Sequence, residues 1–441
     1  MYDRDYYLNH VTELTPEEIF EGIRKGIVGL EDLILTGKLD RSIRLEVRNM
    51  LENLVHEENN YWKNCKGLQD WREYLLKYPT GKYCMEAFRL VANTEKEAIE
   101  KAEEKEKLKS EIRQNHNKYR PGQIKDLIEQ DKLSVADLLD VGIPHDILNT
   151  LYNYKDTEIR LGSTPDSIPL GFTEVYFWGI PGSGKTCALG AILNTAESKG
   201  YLEIGKGTGF DYMLQLKNIF ADPISILPGS TPEETTQYLP FTLRKSGVDN
   251  PISVSLIELS GEIFKCFLRK LANIPLTERQ EETFTKVVEF LNSPNPKIHF
   301  FFVDYEHENR TDSGYRQSDY LSAAASFFNN PGNNLFTEKT NAIYVVLTKS
   351  DLMDCPDEDR IHNIKEYLST NNYSSFINVL RSRCQENSIN GKRLLGIEFS
   401  LGQLYFKDFC RLNSKTSESI IDILLTRISP KKDSVLDFLN Q

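Results

Sequence analysis

The segment Gly179–Thr186, with the sequence GIPGSGKT, constrains the fold of this chain more than any other feature. It matches G-x-x-x-x-G-K-[ST], a pattern in which glycines let backbone amides converge on phosphate oxygens at the start of a helix. The apolar run Val175–Trp178 before it predicts a strand, and the apolar residues from Cys187 onward predict a helix. This order predicts a phosphate-binding loop inside an α/β domain.

The residue types of the segment indicate how each would serve a bound nucleotide. Lys185 would bridge the β- and γ-phosphates, and the Thr186 hydroxyl would contact Mg²⁺. The other nucleotide-binding positions assigned to the segment are Gly179, Gly182, Ser183, Gly184 and Cys187. The structural alternative is an ordinary glycine-rich turn that precedes a helix.

Length and composition exclude several classes of protein. With 441 residues the chain is long enough for two or more domains. Its net charge of −12 argues against general nucleic-acid binding, since phosphate contacts require clustered Lys and Arg. Neither a transmembrane segment nor a secretory signal is expected from the hydropathy pattern. The seven cysteines are scattered and the histidines lack zinc-binding spacing, so we expect free thiols and a cytoplasmic location.

Roughly the first 155 residues predict helices, and they contain an internal repeat with an offset of 105 positions, in which six residues recur unchanged and two recur as another aliphatic residue. The first copy consists of Pro16, Ile19, Ile23, Val28, Leu30, Asp32, Leu33 and Gly37. The second consists of Pro121, Ile124, Ile128, Leu133, Val135, Asp137, Leu138 and Gly142. Each copy predicts a helix opened by proline, a short link and a second helix closed by glycine.

The repeat copies are assigned to 15–51 and 120–154. Between them, residues 66–92 predict a helical hairpin and residues 94–114 a charged helix with Glu and Lys in i,i+4 pairs. The whole region 1–160 is interpreted either as a structural element or as an interaction module that docks on itself or on a protein partner.

Residues 170–430 alternate between strand and helix patterns, which predicts an α/β domain with a mainly parallel sheet flanked by helices. Residues 431–441 are interpreted as a tail. The predicted strands are Val175–Trp178, Phe241–Arg244, Ile252–Leu259, Ile298–Val303, Ala342–Leu347 and Leu395–Phe399, and the closing helix is predicted at Ser417–Arg427.

A second motif, TKSD at Thr348–Asp351, directly follows an apolar strand pattern. Guanine presents its N1–H and N2–H donors side by side, and the carboxylate of Asp351 could accept both, whereas adenine would face it with an acceptor. Lys349 would lay its stem over the base and reach back toward the phosphate loop, and Thr348 would tie the two loops together. The structural alternative is that Asp351 caps the following helix.

A third motif, ELSGE, ends the strand pattern before it. Glu258 would hold a Mg²⁺-bound water, and the Gly261 amide would meet the γ-phosphate. Glu262 could act as a base or repel the phosphate, so slow hydrolysis is expected. Thr231 or Thr235 is the candidate for a second Mg²⁺ contact, and Ser400 the candidate for a loop whose backbone meets guanine O6.

Together, GIPGSGKT, ELSGE, FFFVD and VVLTKSD resemble the motifs of TRAFAC-class, Ras-like P-loop GTPases. More narrowly, they resemble the bacterial double-GTPase group of conflict (defence) systems, in which Asp usually stands where this chain has Glu258. The resemblance covers residues 170–428. It implies a switch protein that binds GTP or GDP with Mg²⁺ and acts with protein partners.

Two other functions compete with this interpretation. The run before Asp304 resembles a Walker B strand, and Glu306 could serve as the base of a P-loop ATPase of the signalling (STAND) or additional-strand type, although these two carboxylates are not adjacent. Alternatively, the chain is a nucleotide-binding scaffold without turnover, in which the helical repeat performs the function.

Overall fold

A computed structural model describes most of the chain, in two units that contacts divide into Met1–Ser110 and Glu111–Gln441. The described residues are 2–154, 159, 165–229, 236–244, 252–306, 314–329, 336–356 and 358–426. In these residues no helix combines the length and the apolar character that crossing a membrane requires. The predicted tail lies outside them.

Helices account for the regular structure of residues 2–154, which confirms the helical prediction for this region. They are α1 (Arg4–Asn9), α2 (Pro16–Arg24), α3 (Leu30–Leu35), α4 (Arg41–Asn64), α5 (Leu68–Lys77), α6 (Cys84–Asn115), α7 (Pro121–Glu129), α8 (Val135–Asp140) and α9 (His145–Tyr152). The predicted hairpin corresponds to α5 and the start of α6, and the predicted charged helix to the remainder of α6.

The residues of the predicted repeat lie in and around two helix pairs, α2 with α3 and α7 with α8. Helices α2 and α7 begin at the proline of each copy, and α3 and α8 follow at the same offset. Ile19 and Ile124 are fully buried, as are Leu33 and Leu138. The closing glycines have φ angles of 69° and 96°, a conformation that favours glycine.

The division into units does not follow the predicted boundary near residue 160. It falls within α6, so that the first repeat copy belongs to the first unit. The second copy, α7 to α9, belongs to the same unit as the sheet described next.

A seven-stranded sheet with helices on both faces forms most of the second unit. From residue 173 to residue 426, the strands and α-helices in chain order are β1 (Thr173–Trp178), α10 (Lys185–Ser198), β2 (Leu202–Ile204), α11 (Phe210–Ile219), β3 (Ser225–Ile226), β4 (Gln237–Leu243), β5 (Ile252–Glu258), α12 (Ile263–Leu271), α13 (Glu278–Leu291), β6 (Lys297–Asp304), α14 (Gln317–Asn329), β7 (Thr340–Thr348), α15 (Arg360–Leu368), α16 (Asn371–Glu386), β8 (Leu395–Phe399), β9 (Gly402–Tyr405), β10 (Phe409–Leu412) and α17 (Lys415–Thr426). All six predicted strands are present, and the second of them begins earlier than predicted, at Gln237.

The strand order of the sheet is β2-β4-β5-β1-β6-β7-β8. Strands β5, β1, β6, β7 and β8 are parallel. At one edge, β4 pairs antiparallel with β5, and β2 pairs antiparallel with β4. Strands β4 and β5 lie on one side of β1, and β6, β7 and β8 lie on the other. The order in which strands are added to the sheet therefore reverses at β1. Ligands of open α/β sheets bind at such a reversal, outside the carboxyl ends of the strands.

The central strand β1 is buried on both faces, which explains its uninterrupted apolar run. Val175 and Phe177 pack into one apolar layer with α10, α11 and α17. Tyr176 and Trp178 pack into the opposite layer with α12, α14 and α16. The alternation follows from the two-residue period of a strand and fixes the register of β1 and the position of the loop that follows it.

A second, three-stranded antiparallel sheet has the order β3-β10-β9. These strands were not predicted, because segments of two to four residues are too short to show an alternating pattern.

Candidate functional site

The segment Gly179–Thr186 connects the carboxyl end of β1 to the first residues of α10. Gly182 and Gly184 have φ angles of 77° and 84°, which a residue with a side chain adopts only under strain. Helix α10 enters the apolar layer directly, so its N-terminus, with its unpaired amides and positive dipole end, faces the loop. Geometrically, the loop forms a cradle for an anion.

Lys185 lies folded onto this loop and is 6% exposed. Its ammonium donates hydrogen bonds to the carbonyls of Gly179, at 2.7 Å, and Ile180, at 3.0 Å. Burial lowers the pKa of Lys185 to about 8, although the nearby Glu258 carboxylate opposes the shift. The loop carbonyls therefore stabilise the charged form of Lys185 only in part. A bound anion would stabilise it further.

Glu258, the last residue of β5, is buried at the side of the loop and is held by two hydroxyl groups. The Thr186 hydroxyl donates to one carboxylate oxygen, and the Tyr212 hydroxyl donates to the other at 2.6 Å. Burial and the Glu258 charge raise the pKa of Tyr212 strongly, so the phenol remains a proton donor. The structure thus brings together Thr186 and Glu258, the two predicted Mg²⁺ contacts. Tyr212, in α11, was missed from sequence.

Gly261 packs directly against the backbone of the loop. A Cβ atom at this position would meet the Pro181 nitrogen and lie 2.6 Å from the Ile180 carbonyl carbon. Only glycine fits, so the segment after β5 touches the phosphate loop at this point. The next residue, Glu262, is nearly buried, and its carboxylate forms an ion pair with Lys265 at 2.9 Å.

These residues line a cavity of about 380 Å³. Its wall consists of Pro181–Cys187, Pro228, Gly229, Gln237 and Glu258–Glu262. Burial raises the pKa of the Cys187 thiol to about 12, so it is protonated at neutral pH. Thr231 and Thr235 lie outside the described residues.

Thr348 connects the TKSD segment to the phosphate loop. Its hydroxyl donates to the Ser183 carbonyl at 3.1 Å and to the Val303 carbonyl at 3.2 Å. Asp351 is exposed, in the one-turn 3₁₀ helix Ser350–Leu352 beyond β7. Asp351 is not part of the cavity wall. Among the described residues, this wall contains the residues predicted to bind phosphate but not those predicted to bind the base.

Lys349 makes different contacts from those expected from the sequence. Its ammonium pairs with Asp304 at 2.9 Å and with Glu306 at 3.1 Å, instead of reaching the phosphate loop. Burial alone would lower the pKa of Lys349, but the two carboxylates raise it overall. The reason is the register of β6 against β7, which places Asp304 opposite Thr348 and therefore next to Lys349.

The loop after β8 carries Ser400, whose hydroxyl accepts a hydrogen bond from the Gly402 amide at 3.1 Å. Its carbonyl accepts one from the Thr416 hydroxyl at 2.7 Å, so α17 holds this loop in place. The loop leads directly into β9 of the small sheet.

No protein-family model and no curated protein sequence matches the chain. One of the solved structures that match is the crystal structure of the GTPase-like domain of S. cerevisiae Ski7 bound to GTP, with 14% identity and a TM-score of 0.27. The match covers 54% of this chain and 47% of that chain, so the chain spans about half the length of its match. A TM-score this low does not establish a shared fold.

Proposed function

We propose that this chain binds a guanine nucleotide with Mg²⁺ around Gly179–Thr186 and hydrolyses GTP slowly. The observation that carries the proposal is the contact between Thr186 and Glu258. It joins the first turn of α10 to the carboxyl end of the neighbouring strand β5, directly beside a glycine-rich loop. The anion cradle and the cation site lie together at the carboxyl ends of β1 and β5. This arrangement suits a nucleotide triphosphate with its metal ion better than it suits an uncharged ligand.

The residues around Thr186 suit Mg²⁺ in particular. The described residues contain no group of three or more His, Cys, Asp or Glu that would enclose a metal by itself. Mg²⁺ does not need such a group, since it keeps several waters and takes one or two protein oxygens together with phosphate oxygens. The Thr186 hydroxyl and the Glu258 carboxylate would hold it, and when bound it would neutralise phosphate charge.

The chain's own groups would orient the phosphates. Lys185 would exchange its two carbonyl partners for phosphate oxygens, and the amides at the start of α10 would donate to the phosphates. The Gly261 amide would meet the γ-phosphate, since this glycine already packs on the loop at Pro181. Glu262 is engaged by Lys265, which supports slow turnover because the carboxylate is not free to orient water.

The proposed preference for guanine rests on Asp351 and on the contact between its segment, Thr348–Asp351, and the phosphate loop. Thr348 holds the end of β7 to Ser183, so a base held by Asp351 and phosphates held by the loop would belong to one ligand. The ATPase alternative requires Asp304 to act at the cation, but its carboxylate is paired with Lys349, and Glu258 contacts Thr186 instead. A scaffold without turnover is the second candidate, favoured by the Glu262–Lys265 pair.

The small sheet supports a connection between the nucleotide site and the second repeat copy. Strand β3 leads into Leu227, whose amide donates to the Asp408 carbonyl at 2.6 Å, and then into the cavity wall. Strand β10 carries Arg411, which pairs with Asp146 of α9 at 2.6 Å. Movement of the cavity wall on nucleotide exchange would therefore reach the helical segment, and through it a protein partner or a second copy of the chain.

The seven cysteines are free thiols, which suits the cytoplasmic location that we include in the proposal.

Competition binding with a fluorescent GDP tests the nucleotide proposal. Asp351→Asn should weaken the binding of GTP and leave the affinity for ATP unchanged, because one of the two oxygen acceptors for guanine becomes an amide donor. Asp354→Asn, a change at an exposed carboxylate three residues away, is the matched control and should have no effect. An unchanged preference for GTP in Asp351→Asn would refute the guanine assignment. Release of phosphate from GTP by the purified chain distinguishes slow hydrolysis from a scaffold without turnover.

A further inference from the structure

Gln237, the first residue of β4, has a buried amide that the structure leaves incompletely paired. Its side chain is 1% exposed, and its amide oxygen has no hydrogen-bond partner among the described residues. Such an oxygen loses its water on folding without compensation, so it is costly unless a ligand or a bound water pairs with it.

Gln237 lies on the cation side of the cavity. Gln237 lies directly opposite Glu258 in the antiparallel pair of β4 and β5, so the two side chains lie on the same face of the sheet. Gln237 also lines the cavity, together with Thr186. Among the described residues of the cavity wall, it alone has a buried side-chain polar atom without a partner.

The chemistry of the unpaired atom selects its ligand class. An amide oxygen accepts hydrogen bonds and would repel a phosphate oxygen, so it suits a donor. A hydrated divalent cation presents such donors, since Mg²⁺ retains several of its waters when protein oxygens and phosphates bind it. Both oxygens of Glu258 already accept hydroxyl hydrogens, so this carboxylate does not supply the missing donor.

We propose that Gln237 is a positioning residue of the cation site, whose amide oxygen accepts a hydrogen bond from a water of the Mg²⁺ held beside Thr186 and Glu258. This inference rests on the proposed nucleotide function. It gives the hydrated cation a partner on this side of the cavity and does not require Thr231 or Thr235.

The test measures the Mg²⁺ concentration that half-saturates the magnesium-dependent binding of a fluorescent GDP by the full chain. Gln237→Met has a similar volume and no acceptor, and it should raise this concentration about tenfold or more, as loss of an outer-shell partner does at other metal sites. Affinity for the same nucleotide in a chelator should be unchanged. Gln237→Glu keeps an acceptor and should retain the magnesium response of the wild type.

Gln215→Met is the matched control, since the Gln215 amide donates to the Asp211 carbonyl within α11. A second measurement checks the fold: without Mg²⁺, Gln237→Met should melt no lower than the wild type, because it removes an unpaired buried atom.

An unchanged magnesium requirement in Gln237→Met overturns the inference and leaves the nucleotide function intact. Equal loss of affinity with Mg²⁺ and with chelator also overturns it, since Gln237 would then support the loop. If the wild type binds neither GDP nor GTP, both proposals fall.

Discussion

The pH dependence of GTP affinity tests the environment of Lys185. In the ligand-free chain its pKa is lowered to about 8 by burial, so its charge is lost as the pH rises through this value. Phosphate favours the charged form and raises the pKa, so binding above this value requires the uptake of a proton. At about one pH unit above the free-state pKa, roughly one tenth of the lysine is charged, and affinity should be about tenfold lower than at neutral pH.

Calorimetry in two buffers of different ionisation enthalpy measures this coupling directly. At a pH equal to the free-state pKa, we expect about half a proton to be taken up for each GTP bound, since half of the lysine is neutral before binding. Lys185→Met should bind more weakly and show no such uptake, which separates the lysine from titration of the nucleotide itself. Equal proton uptake by the wild type and Lys185→Met would refute the reasoning.

Gly261 and Tyr212 make contacts at the site, and the Arg411–Asp146 pair joins β10 to α9. Gly261→Ala should lower the melting temperature and weaken GTP binding because its Cβ meets the loop backbone, whereas Gly122→Ala, in open space on α7, should do neither. Tyr212→Phe should lower the free energy of unfolding in urea by about 1.5–3 kcal/mol, because it removes a hydrogen bond to a buried carboxylate; an unchanged value would contradict this. A double-mutant cycle of Asp146→Ala and Arg411→Ala should give a coupling of about 0.2–1 kcal/mol that decreases with salt, since both side chains are partly exposed.

The sequence predicted the parallel core of the sheet because each of its strands is an apolar run bounded by turn or motif residues. Strand β1 is buried on both faces, and its apolar run ends where the glycine-rich loop begins. The contact between Thr186 and Glu258 follows from the same logic, since the carboxyl ends of neighbouring parallel strands lie at one edge.

Tyr212 and Gln237 could not be predicted in the same way. Each comes from a segment without a recognisable motif. Tyr212 bonds to Glu258 because of where the fold places α11, and Gln237 lies opposite Glu258 because of the register of β4 against β5. Lys349 shows the converse limit. Its motif predicted a contact with the phosphate loop, but the register between β6 and β7 brings Asp304 within ion-pair distance.

Calorimetric titration of the full chain with GTP and with ATP, each in the presence of Mg²⁺, tests the central claim most directly. We predict that GTP binds with one nucleotide per chain and that ATP binds about 10- to 100-fold more weakly, the discrimination that paired hydrogen bonds to a base edge provide. Equal affinity for the two nucleotides would contradict the assignment of Asp351. Absence of binding by either would contradict the assignment of Gly179–Thr186 as a nucleotide site.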